Sequence, residues 1–174
     1  MTNVAGLRVD VTGTVDRGLF VWFAGSVGRH ARYDMNRGHT MSFQVHKVDE
    51  QIESAYGLTT ADINGDGLID IVVGSTGEKT VAWYEAPHFE KHVISSDHGG
   101  TICLATHDLT QNGKLDVIAG SGFNRRDRST IEYLHWFEQP DGDGEWISHP
   151  IEQVPYVHRL MSADFQGTGT SALI

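Results

Sequence analysis

The stretch Asp62-Ile63-Asn64-Gly65-Asp66-Gly67-Leu68-Ile69-Asp70 restricts this chain more than any other. It places a carboxylate or amide oxygen at alternate positions of a glycine-rich turn and runs directly into the β-branched segment Ile69 to Val73. Gly65 and Gly67 permit the backbone angles that so tight a reversal needs. Such a turn belongs at the corner between two short strands, and it recurs. Leu7-Arg8-Val9-Asp10 through Gly13 opens a first copy and Leu58 through Gly67 the second. Leu104 through Gly113 opens a third, with Asp108 as its anchor, and Leu160 through Gly169 a fourth, anchored on Asp164. The anchor aspartates are 52, 46 and 56 residues apart (62−10, 108−62, 164−108). A period of about 40 to 50 residues is that of one four-stranded unit of a radial β architecture.

Each copy carries the same strand rhythm: a short apolar stretch, the acidic turn, a β-branched run, an aromatic strand and a closing strand. The aromatic strands are Val81 to Glu85 and Tyr133 to Glu138, soon followed by Pro87 and Pro140. The closing strands are Lys91-His92-Val93-Ile94 and Ser148-His149-Pro150-Ile151. Four strands per copy predict an all-β fold of β-propeller blades. The copies run roughly over 7–57, 58–103, 104–159 and a truncated 160–174. A closed ring needs about four blades or more, so the reading is a propeller fragment of about three blades and the start of a fourth, with the remaining blades or a second domain expected elsewhere. Trp83 and Trp136 are expected to pack between blades.

Twenty glycines and four prolines suit many tight turns. A formal net charge of -10 works against phosphate-backbone binding, which argues against a nucleic-acid partner. No apolar run reaches the roughly 20 residues of a membrane helix, and the first residues do not resemble a signal peptide. Cys103, the single cysteine, is flanked by Ile102 and Leu104 and reads as a buried apolar residue.

The acidic turns suit calcium, which takes about six to eight oxygen ligands. In the second copy Asp62, Asn64 and Asp66 occupy alternating positions, the carbonyl of Leu68 follows, and Asp70 closes the set. An EF-hand would carry Glu where Val73 stands, so the loop is of another kind. The third copy offers Asp108, Thr110, Asn112, the carbonyl of Lys114, and Asp116. Gly18 and Ala172 replace the closing aspartate in the first and fourth. The expected role of the ion is structural. The simpler reading is a hydrogen-bonded Asx turn at a strand corner.

Repeats with this turn followed by an apolar strand resemble the FG-GAP and VCBS repeats of integrin-like propellers. The stretch from Ile102 to Phe165 also resembles the N-terminal propeller of the fungal aldos-2-ulose dehydratase group. That likeness rests on Leu109-Thr110-Gln111-Asn112-Gly113, on Leu134-His135-Trp136-Phe137-Glu138-Gln139-Pro140, and on Val157-His158-Arg159-Leu160 ahead of Asp164. It implies a seven-bladed propeller with a metal-assisted site that removes water from a keto sugar, a separate cupin-type domain, and a catalytic histidine at His158. The histidine that the group carries three residues before the acidic turn of the preceding blade is Ala105 here.

His158 stands six residues before Asp164, so at about 3.3 Å per residue it lies roughly 20 Å along the strand from the acidic turn. Tyr56 holds the equivalent place (62−6), and His98 lies further upstream of Asp108 (108−10). Tyr56, His98 and His158 are expected to meet at one channel mouth. Dehydration of a keto sugar needs a base, an electrophile for the enolate and an acid for the departing hydroxyl. A histidine suits the first or last role. Arg159, or a second divalent metal such as Mg2+ or Zn2+, suits the electrophile. Two functions follow: a carbon–oxygen lyase of carbohydrate metabolism acting on a small sugar, and a non-catalytic calcium-stabilised propeller that binds a glycan or protein ligand.

Overall fold

The computed structural model describes residues 7–10, 33–34, 40–41, 45–123, 133–154, 157–168 and 171–174. The expected first acidic turn, including Gly13 and Gly18, lies outside them. Among the described residues there is no helix, and the strands are antiparallel. The chain divides into Met1–Ile52 and Glu53–Ile174. In the first unit, β1 (Leu7–Asp10) pairs with β4 (Val45–Asp49), and β2 (Tyr33–Asp34) pairs with β3 (Thr40–Met41).

The second unit holds two four-stranded sheets. One contains β5 (Ala55–Ala61), β6 (Asp70–Ser75), β7 (Val81–Glu85) and β8 (Glu90–Ser95) in sequential order. The other contains β9 (Cys103–His107), β10 (Asp116–Ser121), β11 (Tyr133–Glu138) and β12 (Ile147–Gln153), again each strand beside its sequence neighbour. These are the Asp62 blade and the Asp108 blade. β13 (Ser162–Ala163) and β14 (Ala172–Leu173) pair as the opening hairpin of a further copy, on either side of the turn at Asp164.

Both β6 and β10 are buried along their whole length, as expected of strands covered on both faces. A core of Ala61, Ile63, Val72, Val81, Trp83 and Ile94 from the Asp62 blade interlocks with Leu104, Val117, Ala119 and Phe137 from the Asp108 blade. At about 1.5 to 3 kcal/mol per fully buried aliphatic or aromatic side chain, this seam is the main source of cohesion in the unit. A second cluster, Ala105, Ile118 and Leu134 with Trp136, Val154, Leu160 and Leu173 against it, joins the Asp108 blade to the segment beyond. Trp83 and Trp136 therefore both sit at blade seams.

Close approach between blades depends on two glycines in equivalent places, Asp70-Ile-Val-Val-Gly74-Ser75 and Asp116-Val-Ile-Ala-Gly120-Ser121. A Cβ on Gly74 would stand 2.7 Å from Thr101 Cβ. One on Gly120 would stand 2.6 Å from Cys103 Sγ and 3.0 Å from Val157 Cγ1. Thr101 and Val157 each lie seven residues before an anchor aspartate (108−7, 164−7), so each glycine receives the start of the next inner strand.

Candidate functional site

The inner strands β5, β9 and β13 each lead into an acidic turn at the far end, and polar side chains gather at or just ahead of the start of β5 and β13. At the far end of β5, both oxygens of Asp62 accept backbone N–H bonds: Oδ1 from Gly65 (2.8 Å) and Asp66 (3.1 Å), Oδ2 from Gly67 (2.9 Å). Asn64 Oδ1 accepts from the Asp66 N–H, and Asp66 Oδ1 accepts from the Leu68 N–H. Gly65 and Gly67 have positive φ, as the turn requires. The Asp108 turn repeats the scheme: its carboxylate accepts from Asn112 and Gly113, and Asn112 Oδ1 accepts from the Lys114 N–H. Thr110 is exposed on this turn, and Lys114 Nζ reaches back to the carbonyl of Pro140 and to Asp141.

The closing aspartates behave differently from the rest of their turns. Asp70 and Asp116 are both 0% exposed. Asp70 Oδ2 accepts from Ile63 N–H (2.9 Å) and Oδ1 from Ala86 N–H (2.9 Å). Asp116 Oδ2 accepts from Leu109 N–H and Oδ1 from Gln139 N–H, both at 3.0 Å. Each carboxylate thus ties the acidic turn to the end of the third strand of its own blade.

In donor type the set Asp62, Asn64, Asp66 and the Leu68 carbonyl suits calcium, being all oxygen. Asp70 turns inward to two backbone N–H groups, while the oxygens of Asp62, Asn64 and Asp66 accept N–H bonds of the turn and keep further lone pairs. Among the described residues no three His, Cys, Asp or Glu side chains converge as a metal cage.

At the other end of the inner strands, Tyr56 and His158 come together. Tyr56 Oη lies 3.5 Å from His158 Nε2, and the rings meet edge-on with centroids 6.2 Å apart. Arg159 Nη1 lies 2.9 Å from His158 Nδ1 and 2.9 Å from the His158 carbonyl. All three side chains are exposed. A guanidinium only donates, so Nδ1 accepts and the ring proton of the neutral imidazole resides on Nε2, directed at Tyr56. The equivalent position between them in the repeat is Ile102, which is buried.

His98 occupies a different environment. Its Nδ1 bonds Ser95 Oγ (2.7 Å), its Nε2 bonds Ser148 Oγ (3.1 Å), and its ring meets His135 and Phe137 edge-on at centroid separations of 4.6 and 4.9 Å. These partners belong to β8, β11 and β12, the outer strands of the two blades, so the contacts of His98 are with the seam. Three of the four candidate residues form one cluster, and His98 makes its contacts elsewhere.

A further constellation occurs in both blades. Trp83 stacks on His92 at 4.3 Å and 17°, and His92 Nε2 bonds Glu85 Oε2 at 2.8 Å. Trp136 stacks on His149 at 4.2 Å and 16°, and His149 Nε2 bonds Glu138 Oε2 at 2.8 Å. Each histidine lies directly across from its tryptophan on the neighbouring strand. One indole face is therefore covered by the blade's own imidazole. Sequence reasoning had no partner for His92 or His149; the signal was the repeated Trp-x-Glu ahead of a closing-strand histidine.

Residues 62–119 match the family model of the FG-GAP-like repeat. The chain carries an FG-GAP-like repeat. The match begins on the anchor aspartate of one acidic turn and ends inside the strand that follows the next, spanning one full period of the FG-GAP-like pattern. No curated protein matches the chain, so the likeness to the aldos-2-ulose dehydratase group rests on the sequence segments alone.

Proposed function

We propose that this FG-GAP-like repeat chain belongs to a hydro-lyase of keto sugars, with Tyr56, His158 and Arg159 as its substrate-facing group. The observation that carries the reading is the contact of His158 with Tyr56 on one ring nitrogen and with Arg159 on the other. A neutral imidazole with its proton on Nε2 is a poor base and a good electrophile. In this reading the substrate carbonyl oxygen replaces Tyr56 Oη as the acceptor of the Nε2–H bond, which holds the enolate as it forms. Arg159 fixes the tautomer and adds positive charge beside it. The Tyr56 hydroxyl, released from His158, donates to the departing hydroxyl, while a base outside these three takes the proton next to the carbonyl. The carbon–hydrogen and carbon–oxygen bonds break, a carbon–carbon double bond forms, and water leaves.

The test is incubation of the full chain with 1,5-anhydrofructose, following the ultraviolet absorbance of an enone. His158→Ala and Arg159→Gln are expected to lower the rate by about 100-fold or more, the scale on which a single positioned donor acts. Absence of product, or full activity in His158→Ala, overturns the proposal.

A second reading, a non-catalytic propeller that binds a glycan or protein ligand and is stabilised by calcium, is favoured by the all-oxygen donor set of Asp62, Asn64 and Asp66. Titration calorimetry with calcium, alongside melting curves with and without chelator, tests it; no heat and no change in melting temperature would remove it.

A further inference from the structure

The Asp62 and Asp108 blades repeat most of their devices, which makes the differences between them informative. Ten residues before each anchor aspartate stand Ile52, His98 and Val154 (62−10, 108−10, 164−10), so a titratable ring occupies a position that is aliphatic in the neighbouring copies. Ile52 is buried and Val154 packs into an apolar cluster. One residue before each seam tryptophan stand Ala82, fully buried, and His135. The two substitutions meet, since His98 and His135 are the pair in edge contact at 4.6 Å.

The groups around this pair come from every element against it. The loop 96–102 contributes Asp97, β8 contributes Ser95, β11 contributes Tyr133, His135 and Phe137, and β12 contributes Ser148. Phe137 is fully buried. His98 can be protonated with both N–H bonds accepted by serine hydroxyls. His135 cannot, because its Nδ1 is buried and has no partner. A charge on either ring also disfavours one on the other. We propose that the seam between the Asp62 and Asp108 blades is an acid-sensitive latch, closed while His98 and His135 are neutral and loosened when the pair takes up a proton.

Burial lowers the pKa of His98, with Asp97 opposing it; burial and then His98 lower that of His135. A histidine whose folded pKa is depressed contributes its full stability above the unfolded value of about 6.5. That contribution falls as pH drops below 6.5 towards the folded pKa. The window of loosening therefore opens just below neutrality.

The Gly122 and Phe123 N–H groups donate to the carbonyls of Gly99 and Gly100, so their hydrogen exchange, corrected for the intrinsic rate, reads the opening of the His98 loop. In the full chain the opening constant is expected to rise by up to about tenfold per pH unit below 6.5 for one proton taken up. The double variant His98→Val/His135→Ala, which installs the residues of the sister positions, is expected to lose that slope. Should it fail to fold, His98→Gln and a proton NMR titration of the unaltered chain serve instead. Both imidazoles are expected to titrate below the free histidine value. An unchanged slope in the double variant, or both rings titrating at or above that value, overturns the proposal.

Discussion

Removal of the Asp70 side chain separates two accounts of the acidic turn. In Asp70→Ala the N–H groups of Ile63 and Ala86 lose their acceptor, and the site is closed to water because Asp70 is 0% exposed. Each stranded donor costs about 1 to 3 kcal/mol, so the pair costs about 2 to 6 kcal/mol, with a centre near 4. Asp70→Asn keeps one acceptor oxygen and is expected to cost about half as much. The assay is urea unfolding followed by tryptophan fluorescence. With an m-value of about 2 kcal/mol/M, Asp70→Ala lowers the midpoint by about 2 M at unchanged slope. The decisive comparison repeats the measurement with chelator and with millimolar calcium. A carboxylate that binds backbone N–H groups loses the same amount in both; a carboxylate that acts as a metal ligand loses most of it only with calcium present. A loss below about 1 kcal/mol in chelator would refute the clamp. Asp116→Ala, with Leu109 and Gln139 as its stranded donors, is expected to behave in the same way.

Gly74→Ala is expected to cost about 1 to 3 kcal/mol through overpacking against Thr101, and Thr101→Ala should recover part of it in a double-mutant cycle read by thermal unfolding. Gly120→Ala should likewise be relieved by Cys103→Ala, since Cys103 Sγ is the nearest atom to the added methyl. Gln139→Ala removes the bond from Nε2 to the Ile63 carbonyl at 2.9 Å, a link from the Asp108 blade to the Asp62 turn. It is expected to cost about 1 kcal/mol by urea unfolding. For the stacked pair Trp83 and His92, a double-mutant cycle with Phe and Ala replacements is expected to give a coupling of about 0.5 to 1.5 kcal/mol; additive single losses would show that the stacking carries no energy of its own.

The strand pattern was legible because its signals are local. Alternating oxygens and glycines fixed the corners, and the β-branched run at Ile69 and the two aromatic runs became β6, β7 and β11 within one or two residues of their expected ends. The inner strand β5 begins earlier than the apolar residue Leu58 suggested, at Ala55, because strand pairing continues through Gly57 to Ala55. Side-chain direction was not legible. Asp70 reads in sequence as the last oxygen of a metal loop, yet in the fold it faces two backbone N–H groups, one of them sixteen residues away in the chain. His98 and His158 look alike as histidines upstream of an acidic turn. Which of them reaches Tyr56 depends on how neighbouring blades twist past one another, a non-local property that spacing does not encode.

What varies between the blades therefore carries more functional information than what repeats. The clamps at Asp70 and Asp116, the glycines at 74 and 120, and the Trp-His-Glu clasps recur because every blade must close its own turn and seat the next blade. The residue that follows Thr101 and Val157, six before the anchor, does not repeat in type. Position six before the anchor holds Tyr56, Ile102 and His158 in turn. Two polar side chains from alternate copies touch across the copy that holds the apolar one. Packing alone would be served as well by three aliphatic residues there. The departure from repetition at this position, and at His98, is where selection for something other than folding can act without cost to the scaffold.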